Sequence, residues 1–309
     1  MTASIVILPS MYIDPQTGAW RTEIPDDTSR IRGAVQFLAN GGPYSPPSTV
    51  LVRKDAAGNP ISGGQGGVVQ LAEGAFRLGP QTDGPSGIDV PRGVSLVGTG
   101  PLEDRTDPQA PLTQREELTG MRGTWVFVDF GAGTISPGQS AITLRSGSSL
   151  ENLNFYYPNQ VRGLSSLQPQ QARPPLPSIV PPWDSLPAEY PTDLLPPAVQ
   201  RTSGSPALAD NPIAYPPTVR IGTATSRADF VVVKECTFRN SFIAIDAWAK
   251  HVNLTISDCS GYAILVGILL SKSYDFDDIR RVSFSPSAWP RDPGSAAARN
   301  LDVWTKLFG

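Results

Sequence analysis

The sequence predicts an all-β fold in which short strands stack turn upon turn as a parallel β-helix, a solenoid with an N-terminal capping helix and a long Pro-rich loop insertion. Three observations predict it. Only one stretch carries helical periodicity, strand-like runs separated by Gly, Pro, Asn and Asp fill most of the remainder, and a period of 23 residues relates the best of those runs.

Composition narrows the class. The 309 residues include 32 Pro and 29 Gly, and only 17% are charged, against about 25% in an average globular chain. So many helix breakers and so few charges argue against a helical bundle. The net charge of −3 offers no field for phosphates, and no Lys/Arg cluster exceeds two residues, so no nucleic-acid partner is expected. The longest apolar run, Tyr262 to Leu270, covers nine residues and is broken by Gly267. That is far below the roughly 20 needed to span a bilayer, so no membrane insertion is expected. The N-terminus lacks the basic start and long apolar stretch of a recognisable signal peptide. Two Cys do not make a disulfide framework, and one His leaves no Cys/His zinc site.

The elements follow in order. In 26–42, Ile31, Ala34, Val35 and Leu38 fall on one face of a helix, with Asp27 or Thr28 placed to cap its start and Gly41-Gly42 to end it. Asp26-Asp27-Thr28 therefore reads as capping chemistry. Gly63–Gly67 is a flexible turn, without the Lys and helix of a phosphate loop. The first coils are expected over 66–100, a polar loop over 101–123 and further coils over 124–160. An insertion over 168–217 holds 14 of the prolines. It cannot supply ladder hydrogen bonds, and a loop this long suits a cover over a binding surface. Later coils fill 218–309, a stretch that reads as truncated at its end, and the whole chain is taken as a single domain.

The repeat is clearest late in the chain. A shift of 23 places Val233 over Ile256, Cys236 over Cys259, Ile243 over Val266 and Ile245 over Ile268; a second shift adds Ile279, Val282 and Phe284. A shift of 83 lays LENLNF (150–155) over VKECTF (233–238). Units of this length without a helix bury their apolar faces only by stacking. The solenoid is expected to run from about residue 68.

DDTSRIRGAVQFLANGG (26–42), GGVVQLAEGAFRL (66–78) and IDVPRGVSLVGTG (88–100) resemble the N-terminal signature of the pectate-lyase-like single-stranded right-handed β-helix superfamily, in its glycoside-hydrolase-related and phage-tailspike-like branch. LENLNFYYPNQ (150–160), FRNSFIAID (238–246) and GILLSKSYDFDDIRRVSFSPSAW (267–289) are similar to its later coils. The resemblance implies a right-handed coil, a polysaccharide partner and an extracellular or virion-associated setting. The polygalacturonase-type hydrolases carry Asn-Thr-Asp, Asp-Asp and Gly-His-Gly motifs on successive coils, and with the only His in AKHVN (249–253) that set is absent. The function expected is polysaccharide recognition, with cleavage by carboxylates as glycoside hydrolase or lyase. The alternative is a non-catalytic virion component, a homotrimer or a partner of other virion proteins.

Candidate residues come from the columns. Glu235, Asp258 and Arg281 share one, with rungs about 4.8 Å apart. Two carboxylates this close repel, so one is pushed toward its neutral acid unless Arg281 neutralises the pair. An acid beside an ionised partner suits glycosidic cleavage, with Arg281 holding a sugar carboxylate; the plainer reading is a salt-bridge ladder. Asp275 and Asp277, with Asp246, are placed either as acid and base, as ligands for Ca²⁺ in the manner of some pectate lyases, or as a solvated turn paired with Arg280 and Arg281. No organic cofactor is expected. Trp183, Tyr190, Tyr215, Trp248 and Trp289 offer aromatic faces for sugar stacking or for packing loops onto the coil. Cys236 and Cys259 read most simply as stacked core thiols, with a disulfide between rungs geometrically open, and His251 as a turn residue.

Overall fold

The computed structural model describes residues 3–9, 11–13, 20–22, 26–52, 63–81, 86–100, 123–131, 139–157 and 215–284. The expected insertion over 168–217, except its last three residues, nearly all of the 101–123 loop, and the coil expected after residue 284 lie outside these.

The sequence repeats are strand pairings. Val233 pairs in register with Ile256, and Ile256 with Ile279; Ile243 pairs with Val266 and Ile245 with Ile268. The 83-residue shift is also a register, with Leu150 against Val233 and Phe155 against Phe238. Alternating apolar residues point inward from these strands, so Phe155, Phe238 and Phe284 stack in a column with ring centroids 5.6 and 6.0 Å apart. Gly261 is required where the rungs approach most closely: its φ is 149°, and a Cβ there would stand 2.0 Å from the Phe238 carbonyl oxygen.

A single right-handed parallel β-helix is nevertheless not what the strands form, and that expectation is corrected. They divide among three sheets. The eight-stranded sheet runs Asp278–Arg280, Thr255–Ser257, Val232–Lys234, Ser149–Glu151, Val94–Val97, Gly67–Leu71, Ser4–Ile7, Val50–Val52, with its last strand antiparallel. The eleven-stranded sheet has a mixed order: Trp20–Thr22, Met11–Ile13, Gly74–Leu78, Thr124–Val128, Leu153–Tyr156, Thr237–Ala247, Val219–Ile221, Ile142–Leu144, Ile88–Val90, with Ser260–Leu270 and Ser283–Phe284 branching from Thr237–Ala247. Its first two strands are antiparallel to their neighbours. Ala228–Asp229 and His251–Val252 form a third, two-stranded pair. Among the described residues the architecture is multi-sheet with one helix, of mixed α/β type. The physical reason for the difference is that a register repeat fixes which strands lie side by side; it carries no information on how sheets join or on their hand. Strand pairing also begins at Ser4–Ile7, which lies against Val68–Leu71, well before the expected start near residue 68.

The helix, Thr28–Asn40, buries Ile31, Ala34, Val35 and Leu38, on the face its periodicity predicts. It packs on Gly67–Leu71, Ile88–Val90, Ser4–Ile7 and Val94–Val97. Its start departs from expectation. Asp27 stands at the N-cap without making a side-chain cap hydrogen bond, and Asp26 instead accepts from the Thr28 N–H at 3.0 Å and hydroxyl at 2.6 Å. Asp27 is fully buried; it exchanges backbone and side-chain hydrogen bonds with Arg77 at 2.8 Å and pairs with Arg30. The carboxylate goes to the neighbouring strand and so fastens helix to sheet. At the other end the Gly41 N–H donates to the Phe37 carbonyl at 2.8 Å, with Gly41 at φ 71°. Among the described residues no helix is long and apolar enough to cross a membrane.

Candidate functional site

The Glu235, Asp258 and Arg281 column exists, and Asn152 extends it. All four residues adopt left-handed φ, at 60° for Asn152, 54° for Glu235, 56° for Asp258 and 50° for Arg281. Each marks the corner between a strand of the eight-stranded sheet and one of the eleven-stranded sheet. The rungs are tied there by Asn152 N–H to Lys234 O at 3.1 Å, Glu235 N–H to Ser257 O at 3.0 Å and Asp258 N–H to Arg280 O at 3.1 Å. The side chains are already paired: Arg281 Nη2 donates to Asp258 Oδ2 at 2.8 Å, and Lys234 Nζ lies 3.1 Å from Glu235 Oε1. The Arg281 hydrogen bond holds the Asp258 carboxyl below the usual carboxylate range. An ionised Asp258 can act as base, nucleophile or electrostatic partner but does not donate a proton.

The other candidate carboxylates are not brought to this corner. Asp246 is buried and accepts from Arg220 Nε at 2.9 Å and from the Trp248 N–H at 3.1 Å. Asp277 accepts the Leu254 N–H at 3.3 Å and faces His251 Nε2 at 3.1 Å. His251 is fully buried, with its Nδ1 2.8 Å from the Ala249 carbonyl. A carbonyl only accepts, so Nδ1 is the donor in that contact. His251 is thus a buried turn clamp with a carboxylate partner. Asp275 is exposed, and its carbonyl accepts from Ser273 Oγ at 2.9 Å. Asp246, Asp275 and Asp277 do not converge on one point that would suit Ca²⁺, and among the described residues no three His, Cys, Asp or Glu side chains do.

Aromatic candidates separate in the same way. Tyr215 is fully buried, edge-on to Tyr157 with centroids 4.9 Å apart, and burial pushes its phenol pKa up. It belongs to the core. Trp183, Tyr190 and Trp289 lie outside the described residues. Trp248 is half-buried with Lys272 Nζ 5.5 Å from its ring centroid. One rung away, exposed Tyr274 holds Lys250 Nζ at 5.8 Å.

Those lysines reveal a column that sequence reasoning missed. Ala228 pairs with His251, and His251 bridges to Ser273. Arg227, Lys250 and Lys272, each one residue earlier, therefore stand on consecutive rungs, and all three are exposed. Arg227 is partnered by Asp229, whereas the lysines rest on aromatic rings. Like charges directly opposite one another on neighbouring strands are destabilising. Phe230, beside this column, is 65% exposed and holds φ 57°, a strained geometry for a bulky side chain. The available signal was the pairing of the basic residues in RADF (227–230), KHVN (250–253) and KSYD (272–275), spaced 23 and then 22 residues apart.

No family model and no curated protein matches the chain. Solved structures with some similarity include a candidate glycosyl hydrolase from Parabacteroides merdae, 10% identical with a TM-score of 0.34, covering 84% of this chain and 87% of that one. DFA-IIIase from Arthrobacter chlorophenolicus in complex with GF2 is 13% identical with a TM-score of 0.34, covering 84% of this chain and 57% of the enzyme. The same enzyme without its lid gives 14%, 0.34, 84% and 60%. The chain spans a little over half of DFA-IIIase. These neighbours do not identify the pectate-lyase-like superfamily. Likeness at these scores carries no argument about chemistry, so substrate and site rest on this chain's own residues.

Proposed function

We propose that the protein recognises an anionic polysaccharide along the face bearing Arg227, Lys250 and Lys272. The observation that supports this reading is the cationic column itself: three exposed basic side chains on consecutive rungs, flanked by Trp248 and Tyr274, in a chain whose net charge is −3. Rungs about 4.8 Å apart set the three basic residues in a row suited to an extended chain, and the carboxylates or sulfates of such a chain offset the repulsion between the lysines. The aromatic rings present apolar faces to the C–H surfaces of the sugars. Cleavage, if the bound chain is also cut, falls to Glu235 and Asp258, with Arg281 orienting a sugar carboxylate.

Affinity measurements with uronic-acid, sulfated and neutral polymers test the proposal. The Lys250→Gln/Lys272→Gln pair is expected to weaken binding to the charged polymers by about tenfold or more, and salt is expected to weaken the wild type. Equal affinity of variant and wild type, or equal binding of neutral polymers, would overturn it. Following reducing ends and unsaturated-sugar absorbance in the same mixtures, with a Glu235→Gln/Asp258→Gln variant, tests cleavage at the corner column.

A further inference from the structure

The two thiols carry an inference independent of any glycan. Cys236 and Cys259 occupy equivalent positions on adjacent rungs, since Lys234 pairs with Ser257 and Thr237 with Ser260 on either side of them. The Ser260 N–H donates to the Cys236 carbonyl at 3.1 Å, which fixes the stacking at this point. Both side chains are buried in the core, at 0% and 1% exposure, and both are free thiols. Each sulfur also lies 3.8 Å from the carbonyl one rung back, Leu150 for Cys236 and Val233 for Cys259. Each is also 3.3 Å from the carbonyl two residues before it, Lys234 for Cys236 and Ser257 for Cys259, so the two thiols share one setting a rung apart.

We infer that Cys236 and Cys259 form a reversible disulfide between rungs, a redox modification site inside the core. Neighbouring strands about 4.8 Å apart lie within the roughly 4.4–6.8 Å range of Cα separations that a disulfide spans, so the bond needs the two Cβ atoms drawn together to about 4.5 Å or less and no reordering of strands. The co-reactant is a small disulfide such as oxidised glutathione. One Cys thiolate attacks it, one glutathione thiol leaves, and the second Cys displaces the other. Two protein thiols become one disulfide, and the small disulfide is reduced to two thiols. Both thiols are buried, so the exchange proceeds through local opening of the rungs around them, next to the partly buried Val282.

The test uses the full chain, oxidised natively with excess oxidised glutathione and, separately, refolded from denaturant in a glutathione redox buffer. The expected result is loss of both titratable thiols, a Cys236–Cys259 linked peptide by mass spectrometry, and a denaturation midpoint that rises on oxidation and returns with dithiothreitol. Cys259→Ala should show no oxidant-dependent midpoint. Two free thiols after both treatments, a stable mixed disulfide with glutathione, or a bond between two molecules would overturn the inference.

Discussion

Glu235, Asp258 and Arg281 are charged residues in a backbone conformation that costs an L-residue about 1–2 kcal/mol. Their recurrence on successive rungs shows that the corner, and not any single side chain, demands it. Asn tolerates left-handed φ and a β-branched residue does not. Glu235→Asn is therefore expected to leave stability unchanged or raise it slightly, because the exposed Lys234 contact it loses contributes little. Glu235→Val is expected to destabilise by about 1 kcal/mol, because branching at Cβ adds to a cost that Glu already carries. Equal denaturation midpoints for the two variants would show that the corner has relaxed.

Among the elements, the Ser260–Leu270 strand depends on one position. Gly261 has both a φ of 149° and a carbonyl oxygen 2.0 Å from any added Cβ. Gly261→Ala is expected to destabilise by about 3 kcal/mol or more, since backbone must move to admit the methyl group. Thermal unfolding measures this, and a shift of less than a degree would overturn it. This strand is legible in the sequence, because Ile243, Ile245, Val266 and Ile268 are apolar and recur at a fixed interval. The corner column was legible for the same reason: Val233 and Ile256 fix the register that carries Glu235 and Asp258 along. The basic column was not, because Arg227, Lys250 and Lys272 sit in polar turns with no apolar periodicity and their spacing slips from 23 to 22. Likewise Asp27 has the residue type of a cap, and only the nearness of Arg77 turns it into a fastening between helix and sheet.

For the whole molecule, acid is the informative stress. Burial alone would raise the Asp26 carboxyl, but the Thr28 side chain, the Gly79 and Thr28 N–H groups and Gln81 outweigh it, and its pKa lies below the ordinary value. A carboxyl depressed by folding contributes stability that is present above the unfolded pKa, about 3.9, and is lost as pH falls through the lower folded value. Asp26→Asn is therefore expected to flatten the stability–pH curve below about pH 4. Urea midpoints for the two proteins between about pH 5 and pH 2 measure it, and parallel curves would overturn it. The division of the strands among three sheets had no counterpart in the sequence, since it does not change which residues are apolar.

The Thr237–Ala247 strand has a wider consequence. Its first residues pair with Leu153–Tyr156 and its last with Val219–Ile221, while Ser260–Leu270 runs along its length with register shifts around Ser241. It is a splice: two ladders that would otherwise be separate share one length of backbone. Within the eleven-stranded sheet, a tear that starts in either ladder must pass through this splice to reach the other, while the eight-stranded sheet still runs past both. Its amides should therefore be among the last to trade their hydrogens for deuterium.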